Sequence, residues 1–270
     1  MTTEFSSDKM EKLSIQFSPL IDLPITAAES ISPQGVDIWL LDLASIDSEA
    51  IEKFSSLLSQ DELERAQQFR TNRHHFMATR VLLRKTLSRY TRLNAERLLF
   101  SRGLQGKPFL ANSPVPLYFN LSHSRNFAAL AVSSLGDVGI DIENTRQRDY
   151  LKIVERFFHP DEHKQLLECD ETKREQLFYK MWTLKEAFFK ALGTGISTGL
   201  DKARFYFDNN NITAQFSDDL PQGKSCWKFH QTILRHTVTS TTLVALAVDA
   251  ANVIEPHWFD GNYLLDDSNR

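Results

Sequence analysis

Cysteine is scarce in this sequence: among its 270 residues only Cys169 and Cys226 carry a thiol. Two thiols cannot build the disulfide framework typical of small secreted proteins, so we expect a reducing compartment. Long apolar runs are also missing, because no stretch approaches the roughly 18 uninterrupted apolar residues that span a bilayer. The N-terminus has acidic residues among its first positions and lacks the apolar core of a secretory signal. These absences predict a cytoplasmic protein that does not bind a membrane.

A strong excess of charge is lacking as well. The formal net charge is −4 and the sequence pI is about 6.1, which argues against nucleic acid or an anionic membrane as a partner. The average hides a basic stretch from Arg65 to Lys107, in which eleven Lys and Arg residues face a single acid, Glu96. Such a concentration predicts that a small anionic ligand, or an acidic partner, binds at one place.

Similar segments occur twice along the chain, after a Ser-, Thr- and Pro-rich arm at residues 1–34. The strand patterns Gly35-Val36-Asp37-Ile38 and Gly139-Ile140-Asp141-Ile142 are 104 positions apart. The other paired features, in chain order, are helical runs that open at Ser59 and His159 and end near Leu87 and Leu192, strands at 97–100 and 204–207, and Ala-Leu-Ala-Val at 129–132 and 245–248.

This repetition predicts an α+β fold built from two copies of one unit. We place the boundary near Gly136 and Asp137, which gives a first half at residues 35–136 and a second half at 137–270. A ligand is then expected between the copies. The alternative is that short Ala, Leu and Val strings recur because buried strands use few residue types.

Two acids stand close together on the first strand of the second half. Successive side chains of a strand alternate between its faces, so Asp141 and Glu143 share one face while Ile140 and Ile142 point into the core. Neighbouring carboxylates repel each other, so a positive charge is expected in front of them, and Mg²⁺ characteristically binds one or two protein carboxylates. The alternative is an exposed strand end with solvated acids.

A third acid lies on a predicted helix. Glu186 and Lys190 are one turn apart, on a different face from the apolar stripe. The stripe consists of Leu177, Met181, Leu184, Phe188 and Ala191. An ordinary Glu to Lys surface pair explains this spacing, but Glu186 could also complete the metal site while Lys190 meets a phosphate. Gly193 is expected to end the helix in the left-handed conformation.

Two further motifs offer groups to an anion. A strand from Pro116 runs into Ser122, His123 and Ser124, and its end can present backbone N–H groups and an imidazole. Adjacent residues of an extended chain point apart, which excludes a serine-hydrolase triad here. The turn Gly106-Lys107-Pro108 presents a cation, although turn lysines are usually only solvated.

Together, and in this order, the four motifs resemble the signatures of the Sfp-type 4′-phosphopantetheinyl transferases: Gly-Lys-Pro, Phe-Asn-x-Ser-His-Ser, Gly-x-Asp-x-Glu and Trp-x-x-Lys-Glu-Ala/Ser-x-x-Lys. They stand at residues 106–108, 119–124, 139–143 and 182–190. The resemblance implies two similar α+β halves related by a pseudo-twofold axis. It also implies Mg²⁺-dependent transfer of the phosphopantetheine arm of coenzyme A to a serine of an apo acyl or peptidyl carrier protein, with release of 3′,5′-ADP.

Roles for individual residues follow from the resemblance. It implies that Asp141, Glu143 and Glu186 bind Mg²⁺, with Asp141 also facing coenzyme A. Glu186 is then the candidate base for the carrier serine, and Lys190 stabilises the transferring phosphate. The implied coenzyme A contacts are Arg65, Lys107, Ser122, His123 and Lys190.

The ligand of the 3′-phosphate is left open. His75 appears at the position of an adenine-side arginine in some relatives, with Arg73, His74 and Arg80 nearby. Lys185 is next to Glu186 but faces about 100° away on the helix, so its role stays open too. A duplicated chain holds both halves of the site, which predicts a monomer.

Two other function classes fit part of the pattern. A Mg²⁺-dependent phosphohydrolase would use the same acids but needs only water as its acceptor. An RNA-binding module would explain the basic stretch, yet the stretch lacks the aromatic and glycine pattern of such a platform and leaves the acids unexplained.

Overall fold

A computed structural model describes residues 35–146, 148–196, 199–208, 211–220, 226–235, 241–252 and 255–266. The predicted arm at residues 1–34 lies outside the described residues. In the first half, the elements are β1 (Val36–Asp42), α1 (Ser48–Glu52), α2 (Gln60–Gln67), α3 (Arg73–Thr91), β2 (Phe100–Arg102), β3 (Pro108–Leu110), β4 (Tyr118–His123) and β5 (Phe127–Ser133).

The second half runs through its elements in a similar order. They are β6 (Val138–Asn144), α4 (Tyr150–Phe157), α5 (Pro160–Glu168), α6 (Glu171–Leu192), β7 (Ala203–Asp208), β8 (Asn211–Phe216), β9 (Trp227–Arg235), β10 (Thr241–Asp249) and β11 (His257–Asp260). The predicted α+β class is confirmed. No helix within the described ranges is long and apolar enough to cross a membrane.

The strands form two main sheets of corresponding order. One sheet has the order β11-β1-β5-β4 and the other β6-β10-β9, and the hairpins β2–β3 and β7–β8 stand apart from them. In both sheets the first strand of the half pairs antiparallel with the strand that contains the Ala-Leu-Ala-Val motif. This agreement is consistent with the predicted relationship between the two halves.

The sheets pack against each other, and each half has a long helix on its outer side. Val36 and Ile38 of β1 share a buried cluster with Ile140 and Ile142 of β6. The opposite face of the first sheet, including Trp39, packs on α3, and the opposite face of the second packs on α6. The apolar stripe predicted for α6 is confirmed, because Met181, Leu184, Phe188 and Ala191 are buried.

Each half also contains a buried ion pair at the same place. In the first half, Glu62 caps the start of α2, and the almost fully buried Arg84 of α3 donates to it at 2.7 Å. In the second half, Glu162 caps the start of α5, and Lys185 of α6 lies 2.7 Å from it, with both side chains fully buried.

The cation of each pair also bonds the chain that leads into the following hairpin. Arg84 donates to the carbonyls of Ala95 and Leu98, and Lys185 donates to those of Leu200 and Ala203. This shared arrangement supports the view that the halves are copies of one unit.

Three expected boundaries are wrong. The helical run from His159 is divided into α5 and α6, because Cys169 takes an extended conformation and Asp170 caps the start of α6. The helical run from Ser59 is divided into α2 and α3, because Asn72 takes a positive φ of 59° and breaks the helix.

The strand expected at 97–100 begins only at Phe100, since residues 95–97 form a 3-10 turn and the carbonyls of Ala95 and Leu98 accept from Arg84. Hydropathy alone does not distinguish such a turn from the end of a strand.

Candidate active site

A seam between β4 and β6 joins the two halves. Here side chains of the first half, from β4 and from the residue that follows it, form hydrogen bonds with the backbone of β6. These bonds take the place of the backbone pairing found between neighbouring strands. Ile140 N donates to Asn120 Oδ1 at 3.0 Å, and Asn144 N donates to Ser124 Oγ at 3.1 Å. The Phe-Asn-x-Ser-His-Ser motif therefore fixes how the two halves meet.

Ser122, at the centre of the seam, bonds the first predicted acid. Its hydroxyl donates to Asp141 Oδ1 at 3.1 Å and accepts from Lys190 Nζ at 3.0 Å. Lys190 Nζ also donates to Asp141 Oδ1 at 2.6 Å. The structure thus brings together three residues that lie on β4, β6 and α6.

The second carboxylate oxygen of Asp141 is buried without a hydrogen-bond partner among the described residues. Asp141 is 4% exposed, and no donor within the described residues reaches its buried Oδ2 atom. A buried carboxylate oxygen without a partner is costly, so a ligand at this atom would stabilise the site. Oxygen ligands of this kind suit a hard cation such as Mg²⁺.

Glycine at position 139 lets α6 approach the acids closely. A Cβ atom there would lie 2.0 Å from the carbonyl oxygen of Ala187 and 2.4 Å from the backbone nitrogen of Ala191. Only glycine permits this contact, so the Gly-x-Asp-x-Glu motif contains both the acids and the space for the helix that carries Lys190. This packing constraint is not evident in the sequence pattern.

Glu186 and Glu143 are partly buried beside Asp141. Burial raises the pKa of Glu186 to about 7, with Lys190 opposing the rise and Asp141 and Glu143 adding to it. Burial and the charge of Asp141 also raise the pKa of Glu143, while Arg148 opposes the change. The two glutamates are therefore harder to ionise, and a cation among the three acids would relieve the repulsion.

The described residues contain no group of three His, Cys, Asp or Glu side chains already gathered as a metal site. Instead, the Lys190 ammonium neutralises Asp141. The chemistry of the three acids fits a Mg²⁺ ion, while their assignment as its ligands stays a prediction.

A group of basic side chains, which we call the basic wall, lies beside the acids. It includes His75, Arg80, His123 and Lys190. Burial lowers the pKa of His123, and the positive charges of Lys190 and Arg80 lower it further. Burial also lowers the pKa of His75, and the charges of His74 and His123 add to this effect. An anion among these basic groups would offset their repulsion and favour the protonated imidazoles.

The remaining members of the basic stretch differ in their surroundings. Arg65 is exposed beside Phe76 and lies close enough to Arg80 to affect its pKa. Arg73 instead pairs with Glu52. Of the four candidates that the sequence left open for the far phosphate, Arg73 is thus already engaged. Arg80 lies 4.0 Å from Glu62 and close enough to His123 to lower its pKa.

Two lysines of the motifs form bonds to protein groups other than Asp141, Glu143 and Glu186. Lys107 Nζ donates to Asp137 Oδ1 at 2.7 Å and to the carbonyl of Ala191 at 2.6 Å. Lys185 belongs to the buried pair with Glu162, which settles its orientation. The nucleotide role predicted for Lys107 stays a prediction.

The chain matches two family models. The model described as 4′-phosphopantetheinyl transferase, N-terminal, matches residues 46–135. The model described as 4′-phosphopantetheinyl transferase superfamily matches residues 137–246. All the predicted site residues lie within these two matches.

Several curated relatives are similar over most of their length. A putative 4′-phosphopantetheinyl transferase of Synechocystis sp. is 37% identical over 172 residues, which cover 61% of this chain and 68% of the relative. HetI of Nostoc sp. is 35% identical, covering 60% and 70%. Sfp of Bacillus subtilis is 33% identical, covering 67% and 79%.

Solved structures resemble only part of the chain. The holo-[acyl-carrier-protein] synthase of Thermotoga maritima is 23% identical and covers 42% of this chain and 63% of its own, with a TM-score of 0.33. Superposition at this score supports no conclusion. The sequence relatives do support a conclusion, because they are 33–37% identical to this chain over 68–79% of their length. The chain therefore belongs to the 4′-phosphopantetheinyl transferase superfamily and is a 4′-phosphopantetheinyl transferase.

Proposed function

We propose that the seam formed by β4, β6 and α6 is where this enzyme transfers the 4′-phosphopantetheine arm of coenzyme A to a serine of an apo carrier protein. The observation that carries the proposal is the meeting of Lys190, Ser122 and Asp141 beside two acids with raised pKa values. The acids can bind a metal counter-ion, and the neighbouring cation can neutralise charge on the diphosphate.

In this proposal Asp141, Glu143 and Glu186 hold Mg²⁺. The ion, when bound, would neutralise charge on the phosphate oxygens. Support comes from the buried Asp141 Oδ2 atom that no described donor reaches, and from the raised pKa values of the two glutamates. Lys190, which now neutralises Asp141, would be freed to contact a phosphate oxygen of coenzyme A.

The basic wall binds the rest of the coenzyme in this proposal. His123 contacts a phosphate, and the exposed Arg65 with His75 faces the nucleotide end, where coenzyme A carries its 3′-phosphate. The backbone of Ser122 contributes from the end of β4. The mutual repulsion of His123, Arg80 and Lys190 would be offset by the anion, which favours binding.

The chemical step is a displacement at the phosphorus nearest pantetheine. The serine oxygen of the carrier forms a new P–O bond, the bond to the bridging oxygen breaks, and 3′,5′-ADP leaves with the electron pair. Glu186 accepts the serine proton in this scheme. The pKa of about 7 belongs to the protein without Mg²⁺, and Glu186 must be ionised to accept the proton.

Intact mass of a carrier protein tests this function. The enzyme is incubated with coenzyme A, Mg²⁺ and apo carriers of the fatty-acid, polyketide and nonribosomal-peptide types. The proposal predicts that at least one carrier gains the mass of phosphopantetheine and that 3′,5′-ADP accumulates in equal amount. Release of 3′,5′-ADP without any carrier would indicate the phosphohydrolase instead.

The proposal also includes a cytoplasmic monomer. It is supported by the fact that β4 of the first half and β6 and α6 of the second supply the site from one chain. Sedimentation at assay concentrations checks the monomer, and a stable oligomer would contradict it.

A further inference from the structure

Lys107 bonds the end of the helix that carries Glu186 and Lys190. Its ammonium donates to Ala191 O at 2.6 Å and to Asp137 Oδ1 at 2.7 Å. Ala191 directly follows Lys190 on α6, and Asp137 directly precedes β6. One side chain of the first half therefore contacts both elements that carry the acids of the second.

The last carbonyls of a helix lack intrahelical donors and need other partners. At the end of α6, Gly195 N donates to Phe189 O at 3.4 Å and Gly193 N donates to Lys190 O at 3.2 Å. The carbonyl of Ala191 receives the Lys107 ammonium. A cation at this end also interacts favourably with the helix dipole. Lys107 thus forms part of the cap of α6.

The stem of Lys107 packs against the same helix end. Gly193 has a φ of +77°, and a Cβ atom there would lie 3.0 Å from the Lys107 Cβ atom. The turn that presents the lysine is also well defined, because Gly103 N donates to Lys107 O at 2.9 Å and Gly106 N donates to Gly103 O at 2.9 Å. Both sides of the contact are therefore fixed by their backbones.

We propose that Lys107 is a positioning residue, which holds the end of α6 against β6 so that Lys190 and Glu186 stay aligned with Asp141. The inference rests on the proposed assignment of those three residues to the site. It assigns the lysine of the Gly-Lys-Pro turn to the geometry of transfer, whereas the sequence alone predicted that it holds the nucleotide. The two roles predict different effects when the ammonium is removed. A positioning role predicts a lower kcat, and a nucleotide-binding role predicts a weaker affinity for the nucleotide.

Two substitutions distinguish these roles. Lys107→Met keeps the stem but removes the ammonium, and Lys107→Arg keeps a charge that can still bond a carbonyl and a carboxylate. Lys202→Met is the matched control, because Lys202 also makes a 2.6 Å ion pair, with Asp219, outside the seam. For each protein, kcat for transfer, KM for coenzyme A and the Kd of 3′,5′-ADP are measured.

The proposal predicts that Lys107→Met lowers kcat about 10- to 100-fold, as misalignment of catalytic groups does, while the Kd of 3′,5′-ADP changes less than about threefold. Lys107→Arg recovers part of kcat, and Lys202→Met changes neither quantity. A Kd that rises about tenfold with kcat unchanged would show that the ammonium binds the nucleotide and would overturn the proposal. Loss of kcat and nucleotide affinity together, or loss of neither, would overturn it as well.

Hydrogen exchange gives a readout that does not depend on transfer. Without substrates, Lys107→Met should speed amide exchange at residues 189–193, relative to wild type and to Lys202→Met. Unchanged exchange there would contradict the positioning role. If instead no carrier is ever modified by the wild type, the proposed function fails while the exchange result still decides the role of Lys107.

Discussion

At the scale of single residues, the protein holds partly buried acids that ionise reluctantly. Motif spacing predicted Asp141, Glu143 and Glu186, because alternation along a strand and the turn of a helix are visible in a sequence. It did not predict that Lys190 would neutralise Asp141, nor that Lys185 would lie buried against Glu162. Such pairs join residues that are 49 and 23 positions apart, and only the packing of separate elements determines them.

The raised pKa of Glu186 predicts a stability that depends on pH. Its pKa is about 7 in the folded protein and 4.5 in the reference state. Glu186 therefore destabilises the fold fully above pH 7, and this cost shrinks as pH falls from the folded value to the reference value. Without Mg²⁺, Glu186→Gln should raise Tm at pH 8 by roughly 5 °C, which corresponds to on the order of 2 kcal/mol.

At pH 5 the Tm difference between wild type and Glu186→Gln should shrink to less than half, because Glu186 is then protonated in the folded protein and mostly ionised only in the unfolded chain. The control is Glu171→Gln, on the exposed start of α6, which should leave the difference between pH 8 and pH 5 unchanged. Added Mg²⁺ should raise the Tm of wild type more than that of Glu186→Gln. Equal Mg²⁺ shifts in both proteins would exclude Glu186 as a ligand.

His123 should respond to a bound anion. Burial, Lys190 and Arg80 lower its pKa in the free protein, and a phosphate near the ring would stabilise the protonated form and raise the pKa. NMR titration of the imidazole with and without 3′,5′-ADP measures this change. We expect a rise of about one pKa unit or more, and an unchanged titration would place the phosphates away from His123.

At the scale of elements, glycine 139 sets the distance between β6 and α6. Gly139→Ala should destabilise the protein by about 3 kcal/mol or more, because the new methyl group meets backbone atoms that cannot move aside cheaply. The matched control is Gly103→Ala, where a Cβ atom would lie 3.6 Å from the nearest atom. Urea unfolding compares the two, and a similar loss in both would contradict this account of the packing.

Element boundaries could be predicted only where the local signal is strong. The apolar stripe of α6 is periodic, and the Ala-Leu-Ala-Val strands are short continuous apolar runs that occur twice, so their positions follow from the sequence. The break between α2 and α3 depends on a positive φ at Asn72, and the seam depends on side chains of β4 that replace backbone pairing. Neither leaves a periodic trace.

At the scale of the whole molecule, a buried ion pair stabilises each half at the same place. Lys185→Met should cost about 3–5 kcal/mol, because Glu162 would remain buried without its charge partner. Joining it to Glu162→Gln should recover part of the loss. Denaturant unfolding of the single and double variants measures the coupling, and simple additivity would show that the two charges do not act as a pair.

The central claim is that the acids at the seam of the two halves carry out transfer, and the mass of an apo carrier protein tests it most directly. A carrier that the wild type modifies is incubated with coenzyme A, Mg²⁺ and Glu186→Gln, with Glu171→Gln in parallel. The account predicts full phosphopantetheine addition by Glu171→Gln and a rate at least about 100-fold lower for folded Glu186→Gln. Addition by Glu186→Gln at the wild-type rate would contradict it.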